Sequence, residues 1–265
     1  MVLISGPSSS GKTTTCKRIS VQLALLGYHP VQISVDDFFV ERDETPKDAN
    51  GEFDFESIDA IDLKLFNKTL SSIMEGKEVA LPTFDFSTGH KVWNEKKTVK
   101  MSDNAILIIE GIHCLNPKLT DSIPDEVKYK IFVSALTSIS IDSQNPIPTT
   151  DNRLIRRIVR DHKYRGYTAL ETLRRWHSVR NGENRNIFPF QENADVMVNT
   201  ALIYEMGILK PYAVPVLSEV PETEPEYAEA CRLLKFLSYF KSISEKNIPG
   251  TSILREFVGG SQFHY

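Results

Sequence analysis

The sequence predicts an α/β fold in which helices flank a central parallel sheet, and three observations support this. Short apolar runs alternate with helical patterns along the first 200 residues, as in βαβ units. Residues 105–109 are continuously apolar, as expected of a parallel strand buried on both faces. A glycine-containing loop at 6–11 separates the first apolar run from the first helical pattern.

The strand predictions rest on apolar or β-branched runs bounded by turn formers, and the helix predictions on apolar residues at helical spacing. The predicted strands of the main sheet cover residues 2–4, 31–35, 105–109, 129–133 and 194–198. The predicted helices cover residues 14–26, 58–74 (with Ser57 as cap), 151 to about 180, and 226–241. Residues 79–86 and 91–100 alternate around Thr88-Gly89, which predicts a β excursion outside the main sheet.

The chain of 265 residues, 41% hydrophobic and 25% charged, is long enough for one large domain or one domain with an appendage. We expect a core over residues 1–200, with a lid at about 151–185. Residues 201–265 carry four prolines before the last predicted helix, and we expect them to form a C-terminal extension packed on the core.

Composition bears on location and partners. The net charge of −4 gives no support to nucleic-acid binding, and no apolar run approaches the ~20 residues needed to span a membrane. The three cysteines are widely spaced, which favours the reducing cytoplasm. The first predicted strand begins at residue 2, so the chain either opens on a core strand or is part of a larger polypeptide. The sequence leaves the oligomeric state open, including a homo-oligomer.

Residues 6–13 fit the phosphate-loop pattern G-x-x-x-x-G-K-[ST] between a strand and a helix. Its glycines let backbone N–H groups wrap around phosphate oxygens, and the helix N-terminus adds partial positive charge. Lys12 would reach the β- and γ-phosphates, and the Thr13 hydroxyl would bind Mg²⁺. The predicted nucleotide-binding residues are Gly6, Ser8, Ser9, Ser10, Gly11, Lys12, Thr13 and Thr14.

Two carboxylates follow predicted strands at the sheet edge where parallel α/β folds bind ligands. Asp36 is the candidate base that takes a proton from an acceptor hydroxyl, with Asp37 as its competitor. Glu110 would hold Mg²⁺ directly or through water. Each carboxylate could instead cap the following helix or turn.

A basic stripe lies on the helix predicted from residue 151. Four arginines recur at i, i+3, i+4 and i+7 and so share one face: Arg153, Arg156, Arg157 and Arg160. With Arg165, such a stripe predicts a mobile lid that closes over a triphosphate. The alternative is a solvated face paired with Asp151, Asp161 and Glu171.

Residues 82–90 carry aromatic and polar side chains together. Phe84 and Phe86 share a strand face and could sandwich a base or sugar, with Asp85 or His90 for polar contacts. Taken alone, the two rings fit a hydrophobic core better.

Together these blocks resemble the uridine kinase and phosphoribulokinase family of P-loop kinases, and the uridine kinases more closely. The matching blocks are GPSSSGKTT at 6–14, VDDFF at 35–39, FDFESIDAID at 53–62, PTFDFSTGH at 82–90, IIEGIH at 108–113 and DNRLIRRIVRDHKYRG at 151–166. Unlike the family pattern, Tyr167 stands where an arginine is common, and Gly89 is inserted before His90.

The resemblance implies roles for individual residues. Asp36 would be the catalytic base, and Thr13 and Glu110 the Mg²⁺ residues. Phe84, Phe86 and His90 would hold the nucleoside base, and Asp59 would lie near the sugar hydroxyls. Arg157 of the basic stripe is a further predicted acceptor-binding residue, which the stripe and not the resemblance supports. Arg160 and Arg165 would be lid arginines that act with Lys12 on the transferring phosphoryl group.

The predicted function is therefore transfer of the γ-phosphoryl group of ATP or GTP, with Mg²⁺, to the 5′-OH of uridine or cytidine. Three alternatives stay open: a kinase of another small alcohol, such as a sugar phosphate or a pantothenate-like acceptor; a regulatory nucleotide-binding ATPase; and an RNA-associated protein, which the acidic balance disfavours.

Overall fold

The computed structural model describes residues 1–48, 51, 53–85 and 88–264, which form two compact units. The first unit comprises Met1–Pro7, Thr15–Val133 and Asn181–Val198, and the second comprises Ser8–Thr14, Ser134–Arg180 and the chain from Asn199 onward. The predicted division at residue 200 stays a prediction. No helix in the described part of the chain combines the length and apolar character that a bilayer crossing requires.

The elements alternate along the chain. The strands are β1 (Val2–Ser5), β2 (His29–Ser34), β3 (Val79–Asp85), β4 (His90–Val99), β5 (Ala105–Glu110), β6 (Tyr129–Ser134) and β7 (Val196–Asn199). The α-helices are α1 (Lys12–Leu25), α2 (Leu63–Met74), α3 (Thr149–Arg165), α4 (Ala169–Asn186), α5 (Glu205–Ser218), α6 (Tyr227–Ser238) and α7 (Arg255–Val258).

The main sheet has the order β2-β5-β1-β6-β7, and β1 pairs in parallel with both β5 and β6. Both predictions, a parallel sheet and flanking helices, are confirmed. Apolar side chains that alternate along β1 and β5 enter different clusters, with Leu3 and Ile109 in one and Ile4 and Ile108 in the other. The two central strands are thus buried on both faces, as their apolar runs require.

Strands β3 and β4 pair antiparallel as a separate two-stranded sheet, which confirms the predicted β excursion. Asp85 pairs with His90, and Gly89 between them has φ +81°. A β-carbon on Gly89 would lie 2.6 Å from Nε of Arg42. The added glycine therefore suits both the backbone of this turn and the close approach of Arg42.

The prediction of one helix over residues 58–74 is wrong. A 3₁₀ turn, Ile58–Ala60, is capped by Ser57, whose hydroxyl accepts from the N–H of Asp59. The chain is then extended at Ile61, and Asp62 caps α2 by accepting from the N–H of Leu65 at 2.9 Å. Two capping side chains five residues apart thus start two helical segments.

The basic helical stretch is divided at Gly166, which has φ +70° and ends α3 in a left-handed conformation. Helix α5 is an element that we did not predict, because Pro211 and Pro215 lie inside it. Pro211 cannot donate to the carbonyl of Gly207, and that carbonyl accepts from the N–H of Ile243 instead, at 2.9 Å. The core of the second unit joins α3, α5, α6 and α7.

Candidate active site

The phosphate loop from Ser8 to Thr14 belongs to the second unit, and α1 begins within it at Lys12. Ser9 has φ +57° and Gly11 φ +88°, so the loop is wound tightly. The Oγ atoms of Ser9 and Ser10 are buried and lack a hydrogen-bond partner among the described residues. Two orphaned hydroxyls in a tight loop at a helix N-terminus fit the oxyanions of a nucleotide.

Glycine is required at position 11 for two reasons. Its φ lies in the left-handed region, and an added β-carbon would lie 2.1 Å from Cδ1 of Ile253. Ile253 comes from the C-terminal part of the chain and is buried in the core of the second unit. The C-terminal residues therefore pack directly on the phosphate loop.

Lys12 and Thr13 are half-buried at the start of α1, and Thr14 is fully buried. The Thr14 hydroxyl donates to a carboxylate oxygen of Glu256 at 2.5 Å. Glu256 belongs to α7, which no sequence motif singled out. The roles predicted for Lys12, Thr13 and Thr14 stay predictions.

The arginine stripe of α3 has two parts with different environments. Arg153 and Arg156 are buried and donate to backbone carbonyls of the phosphate loop. The expectation that the whole stripe meets phosphates or solvent is therefore wrong for these two side chains. Their burial could not be read from spacing alone, because spacing assigns a face and not what covers it.

The other predicted lid arginines gather around one buried carboxylate. Arg160 donates to Asp161 at 2.8 and 2.9 Å, and Arg157 Nε donates to Asp161 at 3.2 Å. Nε of Arg165 lies 3.7 Å from Asp161. Arg157 also donates to the Ser8 hydroxyl at 2.9 Å, which brings it to the phosphate loop. Three cations around one anion leave a net positive charge on this part of α3.

Asp36 and Asp37 occupy a 3₁₀ turn, Val35–Phe38, directly after β2 in the first unit. One carboxylate oxygen of Asp37 accepts from Nζ of Lys97 at 2.9 Å, and the other accepts from the N–H of Phe84 at 3.3 Å. Asp37 thus fastens the β3–β4 hairpin to the end of β2. Asp36 is half-buried beside it.

Glu110 ends β5 and is almost fully buried. It lies in register with Ile4 of β1 and Ser34 of β2, and its Oε1 accepts from the Ser34 hydroxyl at 3.1 Å. A β-carbon on Gly111 would lie 2.6 Å from Cβ of Val35, the residue before Asp36. The first unit therefore collects both predicted carboxylates at the carboxyl edge of the sheet.

The predicted acceptor residues differ in exposure. Phe84 is buried and packs against Phe39 with ring centroids 5.5 Å apart and ring planes tilted by 52°, so it is part of the core. Phe86 lies outside the described residues. Nδ1 of His90 lies 2.7 Å from a carboxylate oxygen of Glu41, and this hydrogen bond, aided by the N–H of Lys91, lowers the pKa of Glu41. Asp59 is exposed in the turn after Ser57.

Among the residues that the structure describes, some that contact the phosphate loop or hold those that do were missed by sequence reasoning, among them Thr200, Glu205, Ile253 and Glu256. None of them belongs to a motif. Thr200, Ile253 and Glu256 lie about 190 residues or more along the chain from the loop residues that they contact. Glu205 acts on the loop through Arg156 of α3. Such contacts leave no periodic signal in the sequence.

A parallel sheet with carboxylates at the carboxyl ends of its strands, together with a phosphate loop that runs into a helix, is typical of P-loop phosphotransferases. The family model "Phosphoribulokinase / Uridine kinase family" matches residues 1–203, and the chain belongs to that family. It is accordingly an ATP-binding kinase with an alcohol acceptor, as the resemblance implied.

Named relatives agree with this assignment. Uridine-cytidine kinase 2-B of Danio rerio is 29% identical over 209 residues, which cover 75% of this chain and 72% of the relative. Uridine kinase of Borrelia duttonii (strain Ly) is 32% identical over 199 residues, which cover 74% and 84%. A crystal structure from Silicibacter sp. TM1040, described as a candidate fructose transport system kinase, matches with TM-score 0.52. At 17% identity, over 74% of this chain and 88% of that one, it supports the fold alone.

Proposed function

We propose that the protein transfers the γ-phosphoryl group of ATP to the 5′-OH of uridine or cytidine. The observation that carries the proposal is the pair of carboxylates, Asp36 and Glu110, which the first unit holds at the carboxyl ends of the neighbouring strands β2 and β5. The relatives named as uridine or uridine-cytidine kinases support the choice of acceptor.

In the proposed reaction Asp36 accepts the proton of the acceptor hydroxyl. The hydroxyl oxygen bonds to the γ-phosphorus while the bond from that phosphorus to the β,γ-bridging oxygen breaks, and ADP leaves. Lys12 binds the phosphates, and Arg160 and Arg165 stabilise negative charge as it shifts.

Thr13 and Glu110 are the residues proposed to hold Mg²⁺. A hydroxyl and a carboxylate are hard oxygen donors, which fit this cation when phosphate oxygens and water complete its shell. When bound, Mg²⁺ would neutralise charge on the phosphates. We place the protein in the cytoplasm, in line with the small number and wide spacing of its cysteines.

We expect Asp36→Asn to lower kcat by roughly 10²-fold while ATP affinity changes little, because only the proton acceptor is lost. Asp37→Asn is the matched control: it removes the ion pair with Lys97 and should affect stability more than kcat. Transfer of radiolabel from [γ-³²P]ATP to uridine measures both variants. Full turnover by Asp36→Asn would remove this residue from the role of base.

A kinase of another small alcohol is a second candidate, favoured by one observation. Phe84, predicted to hold a nucleoside base, is packed on Phe39 in the core instead. A transfer screen over uridine, cytidine, sugar phosphates and pantothenate-like alcohols separates the candidates. Phosphate release without transfer to any acceptor would favour a regulatory ATPase.

A further inference from the structure

Three successive carbonyls of the phosphate loop are each held by a side chain of the second unit. Nη1 of Arg153 donates to the carbonyl of Ser8 at 3.0 Å, and Nη1 of Arg156 donates to that of Ser9 at 3.3 Å. The hydroxyl of Thr200 donates to the carbonyl of Ser10 at 2.6 Å. All three donors are buried, so water does not compete for these bonds.

The direction of these carbonyls determines the direction of the N–H groups. In a planar trans peptide, the carbonyl of one residue and the N–H of the next point to opposite sides. Holding the carbonyls of Ser8, Ser9 and Ser10 therefore turns the N–H groups of Ser9, Ser10 and Gly11 away from these side chains. Consecutive N–H groups that face one side form an anion-binding nest, and Ser9 has the left-handed φ that such nests use.

The donors are themselves fixed. Arg156 is fully buried and donates from Nε to Glu205 at 2.7 Å and from Nη2 to the carbonyl of Thr200 at 2.8 Å. Glu205 also accepts from Nδ2 of Asn152 at 2.8 Å and from the N–H of Leu202 at 3.0 Å. Arg156 thus has little freedom to leave the loop.

The network also has a favourable charge. The guanidinium of Arg153 lies 5.4 Å from the ring centroid of Trp176, which shields it from solvent. Arg153 and Arg156 together carry two positive charges against one negative charge on Glu205. One positive charge remains within this network; at the loop itself, Arg157 on the Ser8 hydroxyl and Glu256 on the Thr14 hydroxyl add one charge of each sign, so the balance stays positive and favours a polyphosphate.

We propose that Arg153, Arg156 and Thr200 are positioning residues that preorganise the phosphate loop for the triphosphate, and that Glu205 fixes Arg156. Glu205 lies beyond residues 1–203, the part that matches the family model, so the C-terminal part of this chain contributes to nucleotide affinity. These residues act on the loop backbone and need not touch the nucleotide.

The test compares Thr200→Val, which removes the hydroxyl at nearly constant volume, with Thr200→Ser, which keeps it. Calorimetry measures binding of ATP and of inorganic tripolyphosphate, and kinetics measure KM for ATP and for uridine. We expect Thr200→Val to weaken both polyphosphate ligands roughly tenfold or more, because it removes the bond to the Ser10 carbonyl and also the bond that the hydroxyl accepts from Nη1 of Arg156 at 3.3 Å. KM for uridine should stay unchanged, and Thr200→Ser should bind like the wild type.

A second variant, Arg153→Met, keeps an apolar stem against Trp176 and removes the donor to Ser8, so the test does not depend on the folding of Thr200→Val. A purely structural role predicts lower melting temperatures with unchanged affinity for tripolyphosphate, and that result would overturn the proposal. A wild-type protein that binds neither ligand would overturn nucleotide binding itself. Because no acceptor is needed for binding, failure of the uridine kinase proposal leaves this test intact.

Discussion

Asp161 is a buried residue on α3 whose carboxylate lies within ion-pair distance of three arginines. Burial alone would raise the pKa of its carboxyl, but the positive charges of Arg160, Arg157 and Arg165 outweigh burial and hold the pKa below its ordinary value of 3.8. Because the folded-state pKa is the lower one, the ionised carboxylate stabilises the fold above about pH 4. This contribution is lost as the pH falls through the folded-state pKa.

We therefore expect Asp161→Asn to lower the free energy of unfolding by about 3 kcal/mol at pH 7, since the variant leaves partly buried arginines without their anion. The difference in unfolding free energy between wild type and variant should begin to decrease below about pH 4, because Asp161 of the unfolded wild-type chain starts to bind a proton there. Urea denaturation from pH 7 to pH 3 measures this difference. A difference of constant size over that range would contradict the assignment.

Helices α3 and α4 are separate elements because of Gly166. Its φ of +70° is left-handed, and no heavy atom lies within 4 Å of the position of an added β-carbon. A substitution here therefore tests backbone strain without steric interference. The helical pattern in the sequence continues on both sides and does not reveal the break.

Gly166→Ala should destabilise the protein by about 1 kcal/mol, because a β-carbon disfavours the left-handed region. Gly166→Asn is the matched control and should cost less, since asparagine tolerates this conformation better. Denaturant midpoints with constant m-values measure both changes. Equal stability of Gly166→Ala and the wild type would show that α3 can end in another way.

The elements that sequence patterns predicted well are those whose signal is local. Apolar runs located all five strands of the main sheet, and strand–loop–helix order identified the phosphate loop. Helix α5 was missed because its two prolines argue against a helix. Pro211 is tolerated because the carbonyl of Gly207, which Pro211 cannot serve as a donor, accepts from the distant N–H of Ile243. The helix over 58–74 was wrong because the second cap, Asp62, was overlooked.

At the scale of the whole molecule, the three cysteines are divided between the two compact units. Cys16 and Cys114 are buried in the first unit, and Cys231 is half-buried in the second. Burial, reinforced by the negative charge of Glu110, raises the pKa of Cys16 to about 12. Thiolates react with disulfide reagents and thiols do not. Cys16 is therefore protected from such reagents both by its burial and by its protonated state.

We expect the native protein at pH 8 to react quickly with a thiol reagent at Cys231 alone. In Cys231→Ser, labelling of Cys16 and Cys114 should then appear only as the first unit unfolds in rising urea. The extent of labelling is measured by the absorbance of the thiolate that the reagent releases, and it is compared with the unfolding transition seen by circular dichroism. Rapid labelling of native Cys231→Ser would mean that the first unit opens without global unfolding.

The sequence by itself determined the α/β class, the phosphate loop and the strand-end carboxylates, because each depends on residues that are neighbours in the chain. Only the tertiary structure decided that Arg153 and Arg156 turn to the loop carbonyls, and that Ile253 and Glu256 contact the loop. The physical reason is sequence separation. Periodicity assigns a side chain to a face, but the partner on that face is chosen by packing among distant segments.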